Sequence, residues 1–173
     1  CEGLICLSAC LSGDLPKLLL DGRIAEAEKY VRGMEELFGK GNYFIEIMDH
    51  GIADEKRALP RLMEMSERTG VPLVITNDCH YLHREDAEAQ EVLMCIQTGK
   101  TLDDTERMRM ETDQLYVKSE QEMLALFPGR QEALDRAYDI AHRCNVTFDV
   151  KTVHLPRFDV PKGQTGEELL RAL

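Results

Sequence analysis

The sequence predicts an α/β fold in which parallel strands alternate with helices and a helical extension follows at the C-terminal side. Three observations carry that expectation. Three short apolar, largely uncharged runs stand at 3–10 (GLICLSAC), 42–48 (NYFIEIM) and 72–76 (PLVIT), as strands buried on both faces of a parallel sheet do. The stretches between them carry apolar residues at intervals of three and four, the stripe of an amphipathic helix, so the order is strand, helix, strand, helix, strand. Each apolar run also breaks into a polar cluster: Ser8 to Cys10, Asp49-His50-Gly51, and Asn77-Asp78-Cys79-His80-Tyr81. In α/β folds the carboxyl ends of the strands are where ligands and catalytic groups gather.

The chain has 173 residues, enough for one domain with a real core or one domain plus a piece of another. With 43% hydrophobic and 31% charged residues it has the balance of a water-soluble protein. No run of about 20 apolar residues is present to cross a membrane and no secretory signal pattern opens the chain, so we expect a cytoplasmic protein. A formal charge of -11 excludes the basic footprint of an autonomous nucleic-acid binder, so any DNA it serves should be gripped elsewhere. The six cysteines form no CxxC pair and no regular framework. Cys1, Cys6 and Cys95 sit in apolar surroundings, where reduced thiols act as small core residues. The opening Cys1-Glu2 runs straight into a strand-like segment without an initiator methionine, as expected of a piece of a longer chain.

Taken in order, the first apolar run ends at Cys10, with Gly13 just beyond for a turn. A thiolate there could serve as a soft metal ligand, although for a single cysteine burial as a small hydrophobe is the favoured reading. Leu15, Leu18 and Leu19 mark a short helix that Gly22 separates from a longer one carrying Ile24, Ala27, Tyr30, Val31, Met34, Leu37 and Phe38. Gly39 and Gly41 end it. In the next strand Tyr43, Ile45 and Ile47 share one face, and Phe44 and Glu46 the other, where Glu46 needs a partner. His50, at that strand's end, reads as a ligand, a substrate contact or a hydrogen-bonded turn residue. A helix follows over 53–69, with Ala58, Leu59, Leu62, Met63 and Met65 inward. Its Pro60 marks either a kink or the true first turn, and Gly70 closes it.

The third strand leads into Asp78 and His80, two residues apart and so on one side of an extended segment. A carboxylate and an imidazole offered together make a metal corner, while a turn-forming aspartate and a hydrogen-bonded loop histidine are the simpler alternative. Ala87, Val92, Leu93 and Ile96 give the inward face of a helix ending near Gly99. Residues 101–113 are charged and aperiodic, a surface loop or lid. Tyr116-Val117 suggests a short strand, and Ser119-Glu120-Gln121-Glu122 is a capping box that opens a helix ending at 127–129. A last helix over 131–145 turns Ala133, Leu134, Ala137, Ile140, Ala141 and Cys144 inward. From 146 on, Pro156, Pro161 and Gly163 mark extended chain, with Thr165 before a new helical start. Gly39-Lys40-Gly41 and Gly99-Lys100-Thr101 lack the spacing of a Walker phosphate loop.

The phrases GLICLSACLSG, YFIEIMDHG, PLVITNDCHYL, DAEAQEVLMCIQTGK, LYVKSEQEM, AYDIAHRCNV and LPRFDVPKGQT resemble, in this order, the bacterial replicative DNA polymerase III alpha subunits, over essentially the whole chain. The resemblance implies a fragment of a PHP-type distorted parallel α/β barrel with a helical C-terminal extension. On it, 1–118 would be the C-terminal part of a PHP domain, 119–145 a helical segment and 146–173 an extended linker entering the polymerase palm. Asp78 and His80 correspond to the last metal-binding motif of PHP domains and Cys10 to a ligand at the LSxC strand end, with Zn or Mn as the divalent ion. The family's early histidine motifs and glutamate ligand would lie upstream of Cys1. The carboxylates that hold Mg²⁺ for nucleotidyl transfer would lie beyond Leu173. The implied parent is a DNA-directed DNA polymerase whose PHP region is structural or a metal-dependent proofreading nuclease. Its partners would be DNA, deoxynucleotides and other replicase subunits, with no membrane. A free-standing PHP-type phosphoesterase is the alternative, disfavoured by the LPRFDVPKGQT arm, and a metal-free brace for the polymerase is a third reading.

Overall fold

Short apolar strands need cover on both faces, and three consecutive buried residues in the middle one, Tyr43, Phe44 and Ile45, show that this sheet has it. The computed structural model describes residues 1–153, 155 and 159–173. Its sheet has three parallel strands in spatial order β1 (Cys6–Leu7), β2 (Tyr43–Ile47) and β3 (Leu73–Ile75). Cys6 pairs with Tyr43 and Leu7 with Phe44, while Ile45, Glu46 and Ile47 face Leu73, Val74 and Ile75. A mixed α/β fold with a parallel sheet is therefore what the periodicity led us to expect.

Between β1 and β2 run α1 (Asp14–Leu20) and α2 (Ile24–Phe38), and between β2 and β3 runs α3 (Ala53–Thr69). Gly22 separates the first two at φ +75°. Leu15 and Leu19 of α1, Ala27 and Val31 of α2, and Ala58, Leu62 and Met65 of α3 join Tyr43, Ile45, Ile47, Val71 and Ile75 in one core. Pro60 lies well inside α3, so it is not the helix's first turn. Gly70 caps α3 in the left-handed conformation.

A 3₁₀ turn (Arg84–Asp86) leads into α4 (Ala87–Thr98), and α5 (Glu120–Leu126) and α6 (Gln131–Arg143) follow. The Ser119 hydroxyl accepts from the Glu122 N–H while the Glu122 carboxylate returns to the Ser119 N–H at 2.8 Å, the expected capping box. Helix α6 lies against β3. Residues Cys1–Arg143 form one compact unit and Cys144–Leu173 a second. In the second, Gln164 N–H closes a turn onto the Pro161 carbonyl at 3.1 Å, and α7 (Gly166–Ala172) starts from a Thr165 cap. Pro156, Arg157 and Phe158 of the expected arm lie outside the described residues.

Four expectations need correction. The strand over 3–10 pairs only at Cys6 and Leu7, because Ala9 turns to φ +66° and leaves the ladder. On α4 the buried residues are Met94 and Cys95, whereas Leu93 and Ile96 are 59% and 72% exposed. Cys1 is exposed rather than a core thiol, as are Ala141 and Cys144. The strand at Tyr116-Val117 reduces to a single parallel bridge from Tyr81 to Tyr116.

Candidate functional site

Because the three strands are parallel, their carboxyl ends and the polar clusters that follow them emerge at one end of the sheet. Glu46, the partly buried acid within β2, ties those ends together. Its Oε2 accepts from the Ala9 N–H at 3.0 Å, beyond β1, and its Oε1 from the Thr76 hydroxyl at 2.6 Å, beyond β3. The Ser8 hydroxyl accepts from the Glu46 N–H at 2.9 Å. One carboxylate thus closes the ladder on both sides, with its lone pairs met by groups beyond the neighbouring strands.

His50, beyond β2, is itself buried and spends both ring nitrogens inside the protein. Nδ1 lies 2.7 Å from Glu55 Oε1 and Nε2 lies 2.9 Å from the Asn77 carbonyl oxygen. The second Glu55 oxygen accepts from the His50 N–H at 2.7 Å, and the Thr112 hydroxyl donates to the His50 carbonyl at 2.9 Å. Burial alone would lower the imidazole's pKa, but the Glu55 hydrogen bond, the Asn77 carbonyl and the Glu55 charge together hold it above its ordinary value. Burial would likewise raise the Glu55 carboxyl, and the two bonds and the charge from His50 bring it below its ordinary value instead. The pair is a doubly hydrogen-bonded clamp in the interior, and both shifts favour its charged forms. Of the three readings open for His50, the structure selects the hydrogen-bonded turn histidine.

Asn77 carries the clamp to the third strand end. Its side-chain amide donates to the carbonyls of Gln114 at 3.1 Å and Tyr116 at 2.7 Å, and its Oδ1 accepts from Lys118 Nζ at 3.2 Å. Lys118 also stands 4.3 Å over the Tyr116 ring, and burial lowers its pKa. Beyond Asn77 the chain turns through Asp78 at φ +40°. Among the described residues only Ala9 and Asp78 take such left-handed φ without being glycine, and both stand at strand ends beside expected ligands. Strain of this kind clusters at functional sites.

The Asp78 and His80 side chains do come together, with Oδ1 and Nε2 3.5 Å apart and 42% and 34% exposed. They meet through that left-handed turn and not through the extended geometry the D-x-H spacing suggests. The separation is beyond an ordinary N–H···O bond. It is close to the ~3.3 Å between two ligands held at 2.0–2.1 Å by a tetrahedral ion. The pair therefore fits two adjacent coordination positions open to solvent. Cys10 keeps its thiol 3.0 Å from the Ser12 hydroxyl, in a crevice that Glu46, Met48 and Glu55 also line. Among the described residues no three His, Cys, Asp or Glu side chains are arranged to hold a metal, so Cys10 is not gathered with Asp78 and His80 into such a set.

Glu55, Asn77 and Lys118 were not singled out in the sequence. Glu55 left a signal there: it shares the stripe 55, 58, 62, 65 with three apolar core residues, and a carboxylate on a buried stripe must have a partner. Residues 101–113, expected as a loop, are tethered to α4, where Glu91 pairs with Arg107 and accepts from the Met110 N–H at 3.0 Å.

Residues 1–50 match the PHP domain family, a stretch that contains Cys10 and ends on His50. The chain is similar to the DNA polymerase III alpha subunit of Treponema pallidum, at 47% identity over 96% of its length. It is also similar to those of Borreliella burgdorferi, at 40% over 92%, and Thermus aquaticus, at 39% over 99%. The chain spans 14% of the length of each of these relatives.

Proposed function

From this kinship with one segment of the DNA polymerase III alpha subunits, we propose that the chain is part of a replicative DNA-directed DNA polymerase and serves in its PHP region. The observation that carries the reading is the 47% identity running through 96% of the chain, loops and helices alike. A free-standing phosphoesterase would not be expected to share α5, α6 and the stretch beyond them with a polymerase subunit. In this reading 1–118 is the C-terminal part of a PHP barrel, 119–145 a helical segment and 146–173 the way into the palm. The PHP match over 1–50 supports the first assignment, and the positions of α5 and α6 support the second.

Asp78 and His80 would hold a divalent ion, Zn or Mn, at the PHP site, with Cys10 as a further ligand drawn in when the rest of the ligand set is present. A bound ion of this kind polarises a phosphoryl oxygen and lowers the pKa of its water. The chain's own contribution is positional: Glu46 fixes the three strand ends, and the loop from Asn77 to His80 presents a carboxylate and an imidazole to solvent. His80 must be neutral and Asp78 ionised to bind, so metal is lost as acid protonates them. The carboxylates for nucleotidyl transfer, with their Mg²⁺, would lie in the palm, along with the grip on DNA and deoxynucleotides that an acidic segment does not supply. Other replicase subunits would be the protein partners, in the cytoplasm.

The test is His80→Ala in the full gene product that carries this segment. Metal content and any PHP-dependent nuclease activity should fall, while primer extension is largely kept. Unchanged metal content would show that the D-x-H corner is only a turn.

A further inference from the structure

His50 and Glu55 are deeply buried and spend their side-chain polar atoms on each other and on Asn77, so their function lies in what they hold. A carbonyl oxygen only accepts, so the 2.9 Å contact to Asn77 puts a proton on His50 Nε2. A peptide unit is planar, so fixing the direction of the Asn77 carbonyl fixes the plane that ends at the Asp78 Cα. The same residue is held by its side chain to Gln114, Tyr116 and Lys118. Immediately after it Asp78 takes φ +40°, a conformation a residue with a Cβ keeps only when its surroundings impose it. The far side of the corner is fixed too, by the His80 N–H on the Leu115 carbonyl at 2.8 Å.

We propose that His50 and Glu55 are positioning residues for the Asp78-His80 metal corner, with Glu55 orienting the imidazole and His50 setting the Asn77-Asp78 peptide plane from which the Asp78 carboxylate projects. The inference rests on the reading of Asp78 and His80 as ligands and deepens it. It separates two roles that one polar cluster conceals: His80, open to solvent, binds the ion, and His50, closed on both nitrogens, aims the carboxylate. Outer partners of this kind, when removed, change metal affinity by about 10–100-fold.

The experiment measures Zn²⁺ affinity of the full gene product by competition with a chromogenic chelator, counting only the Zn²⁺ that Asp78→Ala removes, with a thermal melt on every variant. His50→Ala should weaken that site by about 10–100-fold. His50→Gln, whose amide N–H reaches for the same carbonyl, should recover most of the loss. If His50→Ala does not fold, His50→Leu decides, since it fills the volume but offers no N–H to the Asn77 carbonyl; it should weaken the site by about tenfold or more. Wild-type affinity in a folded His50→Ala, or in His50→Leu where that variant decides, overturns the positioning role while the metal corner stands. If Asp78→Ala removes no Zn²⁺, the metal corner itself falls and the positioning role with it.

Discussion

Removing the Glu55 carboxylate tests whether the His50 clamp is an ion pair or only a pair of neighbours. Its side chain is 5% exposed and that of His50 1%, so water cannot replace what is lost. In Glu55→Ala the His50 N–H loses its acceptor, which costs about 1–3 kcal/mol for a buried donor. The ring loses a charged partner, worth about 1.5–3 kcal/mol. The imidazole then gives up its proton, because a neutral ring that still donates from Nε2 to Asn77 is cheaper than an unpaired buried cation. The sum, roughly 2.5–6 kcal/mol, brackets the usual cost of about 3–5 kcal/mol for breaking one side of a buried pair and is a large part of a typical stability of about 5–15 kcal/mol. Glu55→Gln keeps an oxygen for the His50 N–H and offers an amide to a neutral Nδ1, so it should lose only about 1–2 kcal/mol. Urea unfolding of the chain at pH 7, with unchanged slope, measures both. Equal losses for Ala and Gln would refute the account.

The pH dependence follows with its sign fixed by the two shifts. His50 is raised above 6.5 in the folded protein, so its contribution is full below 6.5 and is lost as pH climbs through the folded value. Glu55 is held below 4.5, so its contribution is full above 4.5 and is lost as pH falls through the folded value. The stability difference between wild type and Glu55→Gln should therefore be greatest between 4.5 and 6.5 and shrink on both sides. A difference that stays constant across that window and well beyond it would mean the pair is not ionised.

Two further outcomes rest on single atoms. A Cβ at Gly13 would stand 2.6 Å from the Ser8 carbonyl oxygen and 3.1 Å from that of Cys10, although φ is an ordinary -69°. Gly13→Ala should thus cost about 1–3 kcal/mol by overpacking, and a raised melting temperature, the usual gain at an unstrained glycine, would show that the turn has room. The Tyr43 hydroxyl is buried and, among the described residues, is the side-chain polar group left without a partner. Tyr43→Phe should be neutral or stabilising by about 1 kcal/mol in a urea melt, and a clear loss of stability would reveal a partner for that hydroxyl.

Helix and strand centres were legible because the two periods, near 3.6 and 2, are imposed by what must be buried. The ends were not. A run of apolar residues over 3–10 says nothing of Glu46, thirty-odd residues away, which captures the Ala9 N–H and draws the chain off the ladder. Helix α4 shows a different limit. Periodicity tells which residues share a face, not whether anything covers it. Val92, Leu93 and Ile96 share one, yet it is Met94 and Cys95 that are buried, while Glu91 contacts the tethered segment 101–113. Glu91, on the same face as Met94 and Cys95, is tied to Arg107, whose side chain is only 8% exposed. A long-range charge contact between residues sixteen apart leaves no mark in a hydrophobic pattern.

At the site, the sequence told where the polar groups would gather but not how they divide the work. Three strand ends at one end of the sheet follow from the βαβ order alone. Which residues there remain open to a ligand depends on hydrogen-bond bookkeeping that runs between distant segments. Glu46 is consumed by Ala9 and Thr76, His50 by Glu55 and Asn77, and Asn77 by Gln114, Tyr116 and Lys118. Asp78 and His80 alone of this group keep side chains substantially exposed and no closer to each other than 3.5 Å. Identical residue types thus stand in opposite settings: an acid and a histidine satisfy each other in the interior, and an acid and a histidine are held just short of bonding at the surface, where the proposed reading puts a cation. On the proposed reading the first pair gives the second its fixed geometry, by holding the Asn77 carbonyl immediately before the left-handed Asp78.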